Sequence, residues 1–233
     1  MKISILSLFP DFFTSPLNAS ILKRAQEKGI VNIQKVDIRD FADNKHRKVD
    51  DRPYGGGPGM VMMPEPVQNA IDSVRTENAH IVYLTPQGKL FDAKKAEELA
   101  NKEHVVLLCG HYEGIDQRVI DLNVHEEISI GDVVLTSGCP AALIVMDALI
   151  RFIPGVLGDE LSAYEDSFHT NDGGFDCPSF TRPYTFRGVK VPEVLTQGDH
   201  KKISEWRAKE GKAKTLRVRP DLNFEKKNYE PTH

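Results

Sequence analysis

His104-Val105-Val106-Leu107-Leu108-Cys109 is an apolar run of strand length that stops at Gly110. Outward from it, short apolar or alternating runs recur at Ile3–Phe9, Val31–Ile38, His80–Leu84, Glu127–Ile130 and Val133–Leu135. Stretches with helical spacing separate them. Pro16–Lys28 carries Leu17, Ile21, Leu22 and Ala25 and stops at Gly29. Pro66–Arg75, Ala93–Asn101 and the long apolar Pro140–Phe152 read as further helices, and Ile115–Asp121 as a short helical or turn segment. Strands alternating with helices imply an α/β fold, a mostly parallel sheet flanked by helices on both faces.

This pattern fills residues 1–158 of a chain of 233, which has room for one large domain or two modest ones. Residues 159–175 are rich in Gly, Ser, Asp and Asn without sustained periodicity, and read as a flexible linker or lid. Within them Ser162-Ala163-Tyr164-Glu165 has capping-box spacing, so a short helix is expected there. Residues 176–233 read as a small helical domain, with Lys201–Gly211 an amphipathic helix carrying Ile203 and Trp206 on one face. Charge divides the same way. Residues 177–233 hold 13 Lys and Arg against 7 Asp and Glu, while the remainder holds 17 against 27. Such asymmetry suits a basic module that meets a polyanion, and equally suits a solvated helical surface.

No apolar run approaches the ~20 residues that span a bilayer, so no membrane partner is expected. The amino-terminal run has one basic residue and meets Pro10-Asp11 at once, which favours a buried strand over a signal peptide. Cys109, Cys139 and Cys177 are odd in number and widely spaced, which argues against a disulfide framework and fits the reducing cytoplasm. Neither a C-x-x-C pair nor an H-E-x-x-H occurs, and no metal ligand set is expected.

Between the second strand and the next helix lies Asp51-Arg52-Pro53-Tyr54-Gly55-Gly56-Gly57-Pro58-Gly59-Met60. Its glycines and prolines make poor helix and poor strand, and point to a backbone shape that other residues do not adopt. It is not a nucleotide-triphosphate loop, which needs Lys and Ser or Thr after its last glycine where this chain has Met60-Val61. Nor is it a dinucleotide fingerprint, because a charged run precedes it and Pro64 and Pro66 delay any helix. A tight turn without a ligand and a seat for a flat polar ligand both remain open. Three strand ends are also glycine-bearing: Leu84-Thr85-Pro86-Gln87-Gly88, Cys109-Gly110-His111-Tyr112-Glu113-Gly114, and Ile130-Gly131-Asp132 through Leu135-Thr136-Ser137-Gly138. Ligands of parallel sheets bind beyond such ends, and three loops side by side would bracket an adenine with main-chain hydrogen bonds. Each alone also reads as an ordinary turn. Arg151 closes the apolar helix, where a cation suits the macrodipole, and Asp166 is a linker carboxylate that composition alone does not single out.

The run Asp50 to Met60 resembles the bacterial tRNA (guanine-N1)-methyltransferases that modify the guanine at position 37, members of the SPOUT superfamily. Further matches follow in family order: the three strand-end loops, Ile128-Ser129-Ile130-Gly131-Asp132, Arg151-Phe152-Ile153-Pro154-Gly155-Val156-Leu157-Gly158, and Glu165-Asp166-Ser167-Phe168 with Thr181-Arg182-Pro183. The resemblance implies a SPOUT fold with a deep trefoil knot in residues 1–158, a lid over 159–175, and a tRNA-binding domain over 176–233. It implies a homodimer with the active site at the subunit interface. S-adenosylmethionine would be held by Leu84, Pro86, Gly110, Tyr112, Glu113, Ile130, Gly131, Leu135 and Gly138. Asp50, Tyr54, Gly55, Gly56, Gly57, Pro58 and Gly59 would approach the target guanine and its 5′ neighbour, and Lys201, Lys202 and Arg207 the RNA backbone. Asp166 would be the general base and Arg151 the partner of guanine O6, with help from Mg²⁺ reported in the family. The chain departs from the family pattern at Cys139-Pro140, where a Gly-Glu-Leu-Pro-like segment is usual, and at His111, where Arg is common. Two alternatives stand beside this reading: a catalytically silent RNA-binding relative, and a SPOUT methyltransferase for another RNA base.

Overall fold

A computed structural model describes residues 1–159, 162–169 and 173–222. The chain forms two compact units, Met1–Gly158 and Asp159–His233.

The first unit is built on a five-stranded sheet of order β2-β1-β6-β5-β7, from Asn32–Asp37, Lys2–Ser7, His104–Cys109, Ala79–Leu90 and Glu126–Ser129. Every neighbouring pair runs parallel. All six residues of the central β6 are buried, as expected of a strand covered on both faces. Its side chains alternate between two cores. Val105, Leu107 and Cys109 pack with α2 (Ser20–Glu27), α4 (Ala93–Ala100) and α6 (Cys139–Ile150), through Leu22, Leu99, Val145 and Leu149. Val106 and Leu108 pack on the other face with α3 (Pro64–Val74) and α5 (Gln117–Asn123), through Val67, Ile71, Val119 and Ile120. Each such aliphatic side chain contributes roughly 1.5–3 kcal/mol by leaving water. Local chemistry marks the helix starts. Asp92 and Asp116 cap α4 and α5 by accepting the N–H of Lys95 and Arg118, and Pro64 opens α3. His104 is buried between the hydroxyls of Ser4 and Thr76, each 2.9 Å from a ring nitrogen.

Three sequence expectations change in this unit. Pro16–Lys28 is not one helix: a short α1 (Thr14–Leu17) ends where the Asn18 amide donates to Thr14 O at 2.8 Å, and α2 restarts at Ser20. Among the described residues Val133–Leu135 has no strand partner. The Val133 N–H instead donates back to Gly131 O at 2.8 Å, a tight turn. The strand expected to end at Leu84 resumes after a register shift, pairing Lys89 with Ile128 and Leu90 with Ser129.

In the second unit α7 (Ser162–Glu165) is the short helix expected from the capping-box spacing. A two-stranded hairpin, β8 (Thr185–Phe186) and β9 (Val189–Lys190), precedes α8 (His200–Val218). The long helix continues through Gly211, where a stop was expected. Gly211 and Thr215 are buried together, the Thr215 hydroxyl donates to Gly211 O at 2.8 Å, and it accepts the Phe175 N–H. That packing outweighs the ~1 kcal/mol handicap of a helical glycine. Of the expected linker and terminal domain, residues 160–161, 170–172 and 223–233 lie outside the described residues.

Candidate active site

The carboxyl ends of β5, β6 and β7 open onto a cavity of about 340 Å³ in the first unit. Its wall comes from the three strand-end loops and the start of α6. Leu84, Pro86, Gly110, Tyr112, Glu113, Ile130, Leu135 and Gly138 all line it, and Gly131 alone of the expected cofactor residues does not. Gly131 instead exchanges hydrogen bonds with the Ser129 hydroxyl. His111, noted in the sequence as a departure, lines the cavity too, as do Tyr83, Thr85, Gln87, Glu127, Val134 and Ser137, which the sequence motifs did not mark individually.

Close main-chain packing shapes this wall. The Gly138 N–H donates to Gly110 O at 2.9 Å, and a Cβ on Gly138 would lie 2.9 Å from Cys109 Cα. A Cβ on Gly110 would meet the Tyr83 ring at 3.0 Å. Burial pushes the Tyr83 phenol above its ordinary value. Tyr112 holds a left-handed backbone at φ 58° without being glycine, a conformation that costs energy and is characteristic of functional loops.

The glycine loop connects β3 (Asp50–Asp51) to the antiparallel β4 (Val61–Met62), and Gly55, Gly56, Gly57 and Gly59 all have positive φ. Each therefore occupies backbone space where a side chain is strained. The exit of this loop is tied to the cavity. The Glu113 N–H donates to Met60 O at 2.9 Å, Met62 N–H to Gly114 O at 2.9 Å, and Asp116 N–H to Met62 O at 3.1 Å. A Cβ on Gly59 would collide with the Glu113 carboxylate. Tyr54 at the tip is fully exposed, and Asp50 is half-buried where it pairs with Met62.

At the departure from the family pattern, Cys139 is not among the residues lining the cavity. Its thiol is buried in the core, 3.1 Å from the Ser7 hydroxyl. A hydrogen bond between the thiols of Cys109 and Cys139 pushes Cys109 up and holds Cys139 down. Arg151 follows α6 as its carboxyl-terminal cap and is exposed.

Asp166 belongs to the second unit. It lines a cavity of about 690 Å³ together with Ser162, Glu165, Phe180, Trp206 and Arg207. Phe180 and Trp206 pack at 6.2 Å between ring centroids. Around Asp166 the chain is braced by the Ser167 hydroxyl, which accepts the Asp176 N–H, and by Phe168 N–H donating to Gly174 O. The three expected basic contacts differ. Lys201 is exposed, Arg207 lines the cavity, and Lys202 is ion-paired at 3.1 Å with Asp199, the cap of its own helix.

The model of the tRNA (Guanine-1)-methyltransferase TrmD family matches residues 1–225. The chain belongs to this family. A tRNA (guanine-N(1)-)-methyltransferase of Protochlamydia amoebophila is 58% identical over 223 residues, covering 95% of this chain and 99% of the relative. Family members of the same name from Carboxydothermus hydrogenoformans and Anoxybacillus flavithermus are 54% and 53% identical, each over 95% of this chain and over 87% and 91% of their own. A parallel α/β sheet with helices on both faces agrees with that membership.

Proposed function

We propose that the chain transfers a methyl group from S-adenosylmethionine to N1 of guanine 37 of tRNA. The observation that carries this reading is the convergence of three glycine-bearing strand ends on one cavity, in a chain of this family. The residues fit the donor. At about 340 Å³ the cavity is within the range of small-molecule sites, and Gly110 and Gly138 keep it open where a Cβ would fill or displace its wall. Leu84, Pro86, Gly110, Tyr112, Glu113, Ile130, Leu135 and Gly138 would hold the donor, with Gly131 fixing the turn beside them. When bound, the donor supplies an already activated methyl on a sulfonium.

Guanine N1 carries a proton at neutral pH and is a poor nucleophile until that proton leaves. Asp166 would accept it as general base, a contribution typically of 10²–10⁴-fold when well placed. Arg151 would stabilise the negative charge that then develops on O6, more strongly once water is excluded. The glycine loop, with Asp50 and Tyr54, would hold the extruded base and its neighbour, and extrusion is easier from a loop than from a duplex. Lys201 and Arg207 would meet the RNA backbone. Among the described residues no group of three or more His, Cys, Asp or Glu side chains is arranged to hold a metal ion.

The same inference includes the SPOUT trefoil knot, the lid role of residues 159–175, cytoplasmic tRNA as partner, and a homodimer with a shared site. The knot rests on family membership. Exposed Phe9, Phe12, Val133, Val134 and Leu135 support association, which covers such side chains. Among the described residues no helix is long and apolar enough to cross a membrane. Incubating the purified protein with donor and unmodified tRNA transcripts, followed by digestion and mass spectrometry of nucleosides, tests the reading. It is expected to yield 1-methylguanosine from transcripts with guanine at position 37. Absence of that product, or methylation of another base, would overturn it.

A further inference from the structure

The role inferred for the side chain of His111 rests on the proposed function; the residue stands where Arg is common in the resembled family. It sits between Gly110, whose carbonyl accepts the Gly138 N–H, and Tyr112, and it lines the cavity. Its Nδ1 is the one buried side-chain nitrogen or oxygen among the described residues that lacks a hydrogen-bond partner. Buried polar atoms in native proteins are nearly always satisfied, and one that is orphaned at a binding cavity points to a ligand. The His111 ring has two aromatic neighbours. It is packed at 4.9 Å from the Phe9 ring and 6.1 Å from Tyr112.

We propose that His111, as a neutral imidazole, accepts a hydrogen bond at Nδ1 from the bound methyl donor, so that donor affinity falls when the ring protonates. An arginine at this position would be permanently charged and could only donate. Burial, and then the guanidinium of Arg39, hold the ring's pKa below the ordinary histidine value. Arg39 itself lies over the Phe9 ring, 5.7 Å from its centroid. The other titratable groups of the cavity are Tyr83 on β5, Tyr112 and Glu113 on the same loop, and Glu127 on β7. Protonation acts twice: it turns the acceptor into a donor, and it sets a second positive charge in a cavity built for a sulfonium. The demethylated product, S-adenosylhomocysteine, carries no sulfonium and avoids the second effect. Acidification therefore weakens the donor more than the product.

Calorimetric titration of the full chain with each compound, from about pH 8 to about pH 5.5, tests this. In the wild type, affinity for the donor is expected to fall by about twofold or more across that range but by less than about tenfold, because the free ring's pKa starts below the ordinary histidine value, and affinity for the product by less. His111→Asn, with an amide near the Nδ1 position and no titration, is expected to bind the donor with a flat pH response. His111→Phe is expected to bind it several-fold more weakly than the wild type at pH 8. NMR titration of the His111 ring should show its midpoint pulled lower by bound donor. Equal pH responses in the wild type and both variants, or a ring midpoint unmoved by donor, would overturn the proposal. A wild type that binds no donor at about pH 8 would overturn the functional reading and this proposal with it, whereas donor binding unaffected at His111 overturns this proposal alone.

Discussion

Substituting Gly88 by alanine tests the shape of the cavity wall most directly. The new methyl would lie 2.5 Å from Glu127 C and Ile128 N and 2.6 Å from Glu127 O. Carbon contacts are favourable at about 3.5–4 Å, so the overlap is on the order of 1 Å. Every atom it meets is main chain, so no rotamer change relieves it. β5 and β7 must part where their pairing resumes, at Lys89 with Ile128 and Leu90 with Ser129, beside the Phe91 N–H bond to Ser129 O. Overpacking of this kind costs about 1–3 kcal/mol. For a protein of this size that is a fall in Tm of roughly 2–12 °C. The displaced segments, Thr85–Gln87 and Ser129-Ile130, form two sides of the cavity, so affinity for S-adenosylmethionine should drop by about tenfold or more. Melting and calorimetric titration read the two effects. Gly158→Ala is the control, since nothing lies within 4 Å of its Cβ, and it should melt and bind like the wild type. A Gly88→Ala protein indistinguishable from wild type in both assays would refute the claim that close main-chain packing at this bulge builds the wall.

Asp166→Asn should leave donor affinity nearly intact and slow methyl transfer by at least about a hundredfold; near-normal turnover would remove the residue from its role. Binding of tRNA should weaken steeply with salt, and Lys201→Gln with Arg207→Gln should each lower the slope of log affinity against log salt by about one. Lys202→Gln should lower it less, because Lys202 is already paired with Asp199; three equal effects would contradict the distinction. Burial and the nearby Lys2 hold the His104 pKa below its ordinary value. The unfolded chain therefore takes up that proton first, near pH 6.5, and stability present above about pH 6.5 declines as the pH falls below it. Tm should drop between about pH 7.5 and about pH 5.5, and less so in His104→Gln; an unchanged wild-type Tm would reject this.

The strands and helices of the first unit were legible because burial on both faces imposes a simple demand: apolar runs of strand length between amphipathic helices. Val133–Leu135 misled for the same reason. β-branched residues look like strand wherever they lie, but a strand exists only where a neighbour offers its edge. The convergence of the glycine-bearing strand ends on one cavity was legible because positive φ and close approach require glycine. Which side chains complete that cavity was not, since Tyr83 and Glu127 belong to strands and carry no motif of their own. The register shift after Leu84 was hidden because it depends on what Gly88 packs against, 40 residues along the chain at Ile128. Asp166 and Arg151 stood out only through resemblance, and the aromatic pair Phe180 and Trp206 beside Asp166 left no sequence signal, because a lone Trp on a helix face reads as packing.

The three main-chain bonds that join Met60 and Met62 to Glu113, Gly114 and Asp116 have a thermodynamic consequence. Peptide groups cannot rotate away as side chains do, so the exit of the glycine loop and the cavity loop, which the proposed function assigns to RNA and to the methyl donor, should fluctuate as one body. Motion quenched by the first occupant is not available to be lost a second time, and the two occupants should tighten each other's hold by the same factor, whichever arrives first.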